Sequence, residues 1–204
     1  MIRLLFVLIL APFCPTQEGS YERIGRSSWN KSTCMAAMDG SLWIVDSGSL
    51  YKVDTGGNYD RKSGSWSDSK AMAAMDGHLW IVDSGSLYKV DKNGKYERLP
   101  GSWSNTRCMA ALDKDLWIID SGSLYKVDQN GKYQRMSGSW SDTKSMSVAR
   151  DHLWIVDSGS LYKVDLNGKY SRMSGSWADA SCMTSMNNDL WAVDSGSLYR
   201  VKTE

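Results

Sequence analysis

The chain of 204 residues lacks any collected charge: 24 basic and 23 acidic residues leave a formal net charge of +1, and neither sign gathers into a long block. That balance excludes the electrostatic footprint of a nucleic-acid binder and a polybasic membrane surface. Long hydrophobic runs are also missing. The apolar run from Leu4 to Leu10, inside MIRLLFVLILAPFCPTQEG, is too short to span a bilayer. With Arg3 before it and a polar, small-residue region after it, the layout is that of a secretory signal peptide. Cleavage is expected between Cys14 and Gly19, so residues 1–19 read as the signal and 20–204 as a secreted, soluble protein without membrane insertion. The stretch "APFC" lacks the small residue before Cys that a lipid anchor needs.

Histidine is scarce. His78 and His152 are the two present, and the positions equivalent to them elsewhere in the chain hold Ser41, Asp115 and Asp189. No histidine-based constellation repeats, so no catalytic residue is assigned and the chain does not read as an enzyme. Cysteine is sparse too. Beyond Cys14, the residues Cys34, Cys108 and Cys182 lie 74 apart, with Ala71 and Ser145 at the intervening equivalent positions. A position that accepts Cys, Ala and Ser selects small volume, and this spacing suits neither a disulfide framework nor a zinc site. "DKNGKY" is one residue short of the opening of a calcium loop and lacks the bidentate Glu. No metal or cofactor is expected.

What is present is repetition. Trp43, Trp80, Trp117, Trp154 and Trp191 are spaced by 37, as are Trp66, Trp103, Trp140 and Trp177, with Trp29 beginning that series. Five units fill residues 20–204 as one domain. Each unit carries four β-type segments, for example KAMAAMD (70–76), HLWIVD (78–83), SLYKVD (86–91) and KYERL (95–99). Ser-Gly separates the second from the third, and Asn-Gly, with the positive φ values of a tight hairpin turn, separates the third from the fourth. The reading is all-β: a five-bladed β-propeller with four antiparallel strands per blade, small residues on the inner strand and a second strand covered on both faces. A solenoid would need polar end caps. The phasing instead favours a ring, because "SYERIG" at the start aligns with the fourth strand and the chain stops after a third. Tyr21–Ile24 pairing with Leu198–Val201 would close a monomeric ring.

Gly138-Ser139-Trp140-Ser141, Lys144, Met146, Leu153, Val156 and Leu161-Tyr162-Lys163 resemble, in order and spacing, the repeat of the five-bladed tachylectin-2-type lectins and, more loosely, of the wider tectonin-like propellers. The resemblance runs through all five repeats. It implies a secreted lectin with equivalent sites for N-acetylated hexosamines (GlcNAc or GalNAc type) between adjacent blades. One difference stands out: "VDKNGKY" makes a minimal turn where those lectins carry a longer segment.

The residues themselves point to one repeated surface. Trp66, Trp103, Trp140 and Trp177 stand in the connection between blades, with Asp68, Asn105, Asp142 and Asp179 two residues later. An aromatic face beside a carboxylate or amide suits a sugar. The alternative is structural, with the indole as an inter-blade plug and the Asp as a turn cap. The Trp43 series, flanked by Leu, Ile and Val, reads as packing. Blade one departs: Lys31 replaces the Asp, and Asn30-Lys31-Ser32 is an N-glycosylation sequon. The expected partners are glycans on cell or microbial surfaces, bound with avidity from several weak sites. The alternative is a structural or protein-binding propeller with no sugar site.

Overall fold

In the computed structural model the described residues are 23–24 and 28–203. They form five antiparallel sheets in sequence order, each a blade. Blade 1 comprises β1 (Ser32–Met38), β2 (Ser41–Asp46), β3 (Ser49–Val53) and β4 (Tyr59–Arg61). Blade 2 follows with β5 (Ser69–Met75), β6 (His78–Asp83), β7 (Ser86–Val90) and β8 (Tyr96–Arg98). Blade 3 has β9 (Thr106–Leu112), β10 (Asp115–Asp120), β11 (Ser123–Val127) and β12 (Tyr133–Arg135). Blade 4 has β13 (Thr143–Ala149), β14 (His152–Asp157), β15 (Ser160–Val164) and β16 (Tyr170–Arg172). The last blade contains β17 (Ala180–Met186), β18 (Asp189–Asp194) and β19 (Ser197–Val201), three strands among the described residues. The five-bladed β-propeller of four-stranded units read from the repeat is therefore the architecture found. The strand expected to complete the fifth blade lies largely outside the described residues: Tyr21 and Glu22 are not among them, and Arg23 and Ile24 have no strand geometry.

The turns differ from expectation in one respect. The paired positive φ values of a tight two-residue hairpin belong to Ser84-Gly85 (46° and 70°) and Asp76-Gly77 (56° and 68°). The Asn-Gly turn holds only Gly94 at positive φ (86°). There the Asp91 carboxylate organises a longer loop: its Oδ1 accepts the amides of Asn93 and Lys95 at 2.8 and 2.9 Å. The Asp91 amide closes that loop by donating to the Lys95 carbonyl at 2.8 Å. A side chain that supplies the turn hydrogen bonds removes the need for two left-handed residues.

Each blade presents a leading face to the blade before it and a trailing face to the blade after it. At the first interface the trailing residues Trp43, Val45 and Leu50 pack on the leading residues Leu79, Ile81 and Val90. The same positions recur at the three following interfaces. Inner strands pack in the order β1, β5, β9, β13, β17. This explains the unbroken "LWIV": alternate residues serve opposite neighbours, so both sides of the second strand are apolar. Each Trp of that strand also carries a cation from the third strand, as with Lys89 Nζ at 5.4 Å from the Trp80 ring centroid.

Candidate functional site

Two residues of the inter-blade connection carry the predicted site, and the fold treats them in opposite ways. Trp103 is 1% exposed. Its ring meets Tyr125 and Tyr133 edge-on, at centroid distances of 5.4 and 5.3 Å. Trp66 and Trp140 are enclosed by the same pair of tyrosines in their own blades. Trp177 is also buried and touches Tyr199 at 5.8 Å. Space beside the indole is reserved by glycine. A Cβ on Gly101, whose φ is 109°, would sit 2.5 Å from the Trp103 ring nitrogen. The four indoles thus plug the interfaces, and none offers an open face for stacking. The "Gly-Ser-Trp" order follows from that plug: the chain must bend back over the ring, and only a residue without a side chain leaves room.

Asp68, Asn105, Asp142 and Asp179 are exposed. Their side chains are not the caps of the turn, because another carboxylate does that work. The backbone amides of Asp68, Asn105, Asp142 and Asp179 donate to Oδ1 of Asp83, Asp120, Asp157 and Asp194, at 3.1, 2.9, 3.1 and 3.1 Å. In three blades the hydroxyl of Ser69, Thr106 or Thr143 donates to the same oxygen. The other oxygen of each "DSGS" Asp accepts the hydroxyl of the next serine, as from Ser84 to Asp83 at 2.9 Å. These aspartates are buried and tie the second-to-third-strand turn to the incoming connection. A carboxylate that accepts three bonds offsets its own desolvation.

Relieved of that task, the exposed polar series has other partners. Asp68 Oδ1 and Asp142 Oδ1 contact Lys70 Nζ and Lys144 Nζ at 2.6 and 3.1 Å. Asn105 Nδ2 donates to Ser121 Oγ at 3.1 Å, and Asp179 Oδ2 lies 3.2 Å from Ser195 Oγ, sharing with Asp194 the single proton of that hydroxyl. In blade one Lys31 occupies this place, its amide donating to Asp46 Oδ1 at 2.9 Å, and the sequon residue Asn30 is exposed. Between blades the series opens on a cleft of about 520 Å³ that includes Asn105, Arg107, Ser121 and Ser141. Of the cations two residues beyond the polar series, Lys144 enters the sequence reading only through the family resemblance, and Lys70 and Arg107 not at all, though their 37-residue spacing is a signal.

A second set of clefts lies at the opposite end of the blades, beside the hairpin between third and fourth strands. In blade 2 it is lined by His78, Lys89, Asp91 and Tyr96 and encloses about 190 Å³. In blade 3 Asp115, Lys126, Asp128 and Tyr133 line one of about 250 Å³, and Lys126 Nζ is 3.1 Å from Asp115. The variation at the first position, His against Asp, makes these clefts unlike one another. Amides of Lys95 and its neighbours hold the Asp91 carboxyl below the usual carboxylate range. The thiols of Cys34, Cys108 and Cys182 are free. Burial pushes Cys34 and Cys108 up to about 11, so both are protonated at neutral pH. Among the described residues no group of three or more metal-ligating side chains converges.

No model of a protein family matches the chain, and no curated protein matches it. Its fold is shared with solved structures. Virginiamycin B lyase from Staphylococcus aureus overlays with a TM-score of 0.73 at 12% identity, over 86% of this chain and 68% of that one. A chain of the nidogen/laminin complex overlays with a TM-score of 0.67 at 14% identity, over 84% of this chain and 75% of that one. PorZ, a surface component of the type-IX secretion system of Porphyromonas gingivalis, gives 0.66 at 12% identity, over 85% of this chain and 26% of that one. An antibiotic lyase and a member of a protein complex share this fold, so function has to be argued from the site.

Proposed function

We propose that the protein is a secreted, monomeric, multivalent carbohydrate-binding protein, with sites for N-acetylated hexosamines around one end of the propeller. Asp68, Asn105, Asp142 and Asp179 are the polar contacts. Trp66, Trp103, Trp140 and Trp177 set the blade spacing that positions them. One observation carries this reading: the turn is capped by Asp83, Asp120, Asp157 and Asp194, which relieves the exposed series of the capping task while it recurs on four successive blades. Weak contacts repeated on successive packed blades gain affinity for a clustered ligand through effective concentration. The resemblance to tachylectin-2-type lectins supports the same ligand class.

A protein-binding role without a sugar site is the second reading, and the overlay on a chain of the nidogen/laminin complex favours it. A glycan array separates the two. The carbohydrate reading expects binding that free N-acetylglucosamine or N-acetylgalactosamine inhibits; an array without signal, at any protein concentration that remains soluble, contradicts it.

A further inference from the structure

The five repeats act as internal controls for one another at the exposed polar position and the residue two places on. The pairs are Lys31 and Thr33, Asp68 and Lys70, Asn105 and Arg107, Asp142 and Lys144, and Asp179 and Ser181. In blades 2 and 4 the cation is neutralised by its own carboxylate, at 2.6 and 3.1 Å. Blade 5 has the carboxylate and no cation. Blade 3 alone combines a cation with a neutral amide.

That difference leaves Arg107 unusual. Its Nη1 donates to the Thr143 carbonyl of the next blade at 3.4 Å, and among the described residues it makes no ion pair. The Asn105 amide is turned to Ser121, so it supplies no counter-charge. The cleft of about 520 Å³ gathers hydroxyl-bearing Ser104, Thr106, Ser121 and Ser141 around Arg107; Lys70 also lines it but is held by Asp68 at 2.6 Å, and no carboxylate is itself part of the lining. The three rim clefts seen among the described residues at the opposite end, by contrast, each contain at least one Asp. A guanidinium presents a planar fork that fits an oxyanion with two parallel hydrogen bonds. Thr106 and Ser121 already donate to Asp120, so the hydroxyls of Ser104 and Ser141 are the ones placed to meet the remaining oxygens.

We infer that the cleft at Asn105 and Arg107 binds the oxyanion of an acidic saccharide, a carboxylate or a sulfate, and so differs in ligand class from its sister sites. The inference rests on the carbohydrate-binding reading and adds to it: one position of the ring selects charge. The exposed acids at the other positions bind neutral sugars and repel anions.

Calorimetry on the full protein with three probes tests this: chitobiose as the neutral saccharide, a disaccharide of N-acetylglucosamine and glucuronate, and 6-O-sulfated N-acetylglucosamine. The last two distinguish a carboxylate from a sulfate. At least one acidic probe is expected to bind tenfold or more tighter than chitobiose, with an affinity that falls as salt rises. Arg107→Gln should remove that preference and leave chitobiose binding unchanged. Asn105→Asp, which recreates the internal pair of blades 2 and 4, should also remove that preference. Asp142→Asn should raise the number of acidic sites from one to two. Equal affinity for neutral and acidic probes, or an acidic preference that survives Arg107→Gln, overturns the inference and leaves the broader reading standing. Failure of all three probes overturns both.

Discussion

The interfaces inside the propeller and the faces at its two ends are built from the same residues yet have different surroundings. Leu87 is fully buried between blades 2 and 3, whereas Leu198, its counterpart on the trailing face of blade 5, is 65% exposed. On the leading side Leu79, Leu116, Leu153 and Leu190 are buried, and Leu42 of blade 1 is 42% exposed. Trp66, Trp103 and Trp140 are enclosed, while Trp29, against the same two tyrosines of its own blade, is only half-buried. A repeat does not bury its own apolar face; the neighbouring repeat does. The faces of blades 5 and 1 that are exposed among the described residues therefore carry the two halves of an interface that forms four times elsewhere in the chain.

The largest contrast is expected at the plugs. Trp103→Ala should cost about 3 to 5 kcal/mol in urea unfolding, the range for an aromatic removed from a core. Trp29→Ala should cost less than half as much. Equal losses would mean that Trp29 is covered as fully as Trp103.

Leucine sharpens the comparison. Leu87→Ala should lose about 2 to 5 kcal/mol, and Leu198→Ala less than about 1, since little of Leu198 leaves water in the described structure. If residues 20–26 supply the strand that closes the ring, Leu198→Ala will approach the cost at Leu87. Deleting residues 20–26 will then also lower the melting temperature or solubility. The two measurements should agree in sign.

Gly101→Ala should destabilise by about 1 to 3 kcal/mol, the range for overpacking a filled site, because the new methyl meets the Trp103 ring in a left-handed backbone conformation. Gly77→Ala, where nothing lies within 4 Å of the added Cβ, should lose only the backbone strain.

The smallest effect is with pH. The side-chain hydrogen bond from Lys202, then that from Arg200, hold the Asp189 carboxyl below its ordinary range. A depressed carboxyl contributes stability above its unfolded pKa, about 3.9, and that stability is lost as pH falls through the lower folded value. Asp189→Asn should therefore flatten the acid limb of the stability profile and leave blade 2, with His78 at the same position, unaffected.

Much of this architecture is legible in the chain. The 37-residue period places the blades, and strand limits such as His78–Asp83 coincide with HLWIVD because Gly punctuates both ends. The site was harder to read. That Asp68 is exposed beside a plugged Trp66 depends on two tyrosines, Tyr88 and Tyr96, meeting the indole from adjacent strands. Their common side follows from the pairing of Val90 with Tyr96 and Tyr88 with Arg98. Register of that kind depends on the turn, and the Asp91-organised loop was not the one expected. The capping role fell to Asp83, fifteen residues away from Asp68, because a turn and a connection at the same end of the blade meet in space.

The central claim is that the exposed polar series binds and the buried series holds the fold. Replacing Asp68, Asn105, Asp142 and Asp179 together by Ala, then titrating with N-acetylglucosamine and N-acetylgalactosamine beside thermal melts, tests it most directly. Each lost contact is worth on the order of 1 kcal/mol. The account predicts that binding disappears while the melting temperature stays close to that of the parent. Binding that persists, or a fall in melting temperature with no change in affinity, would contradict it.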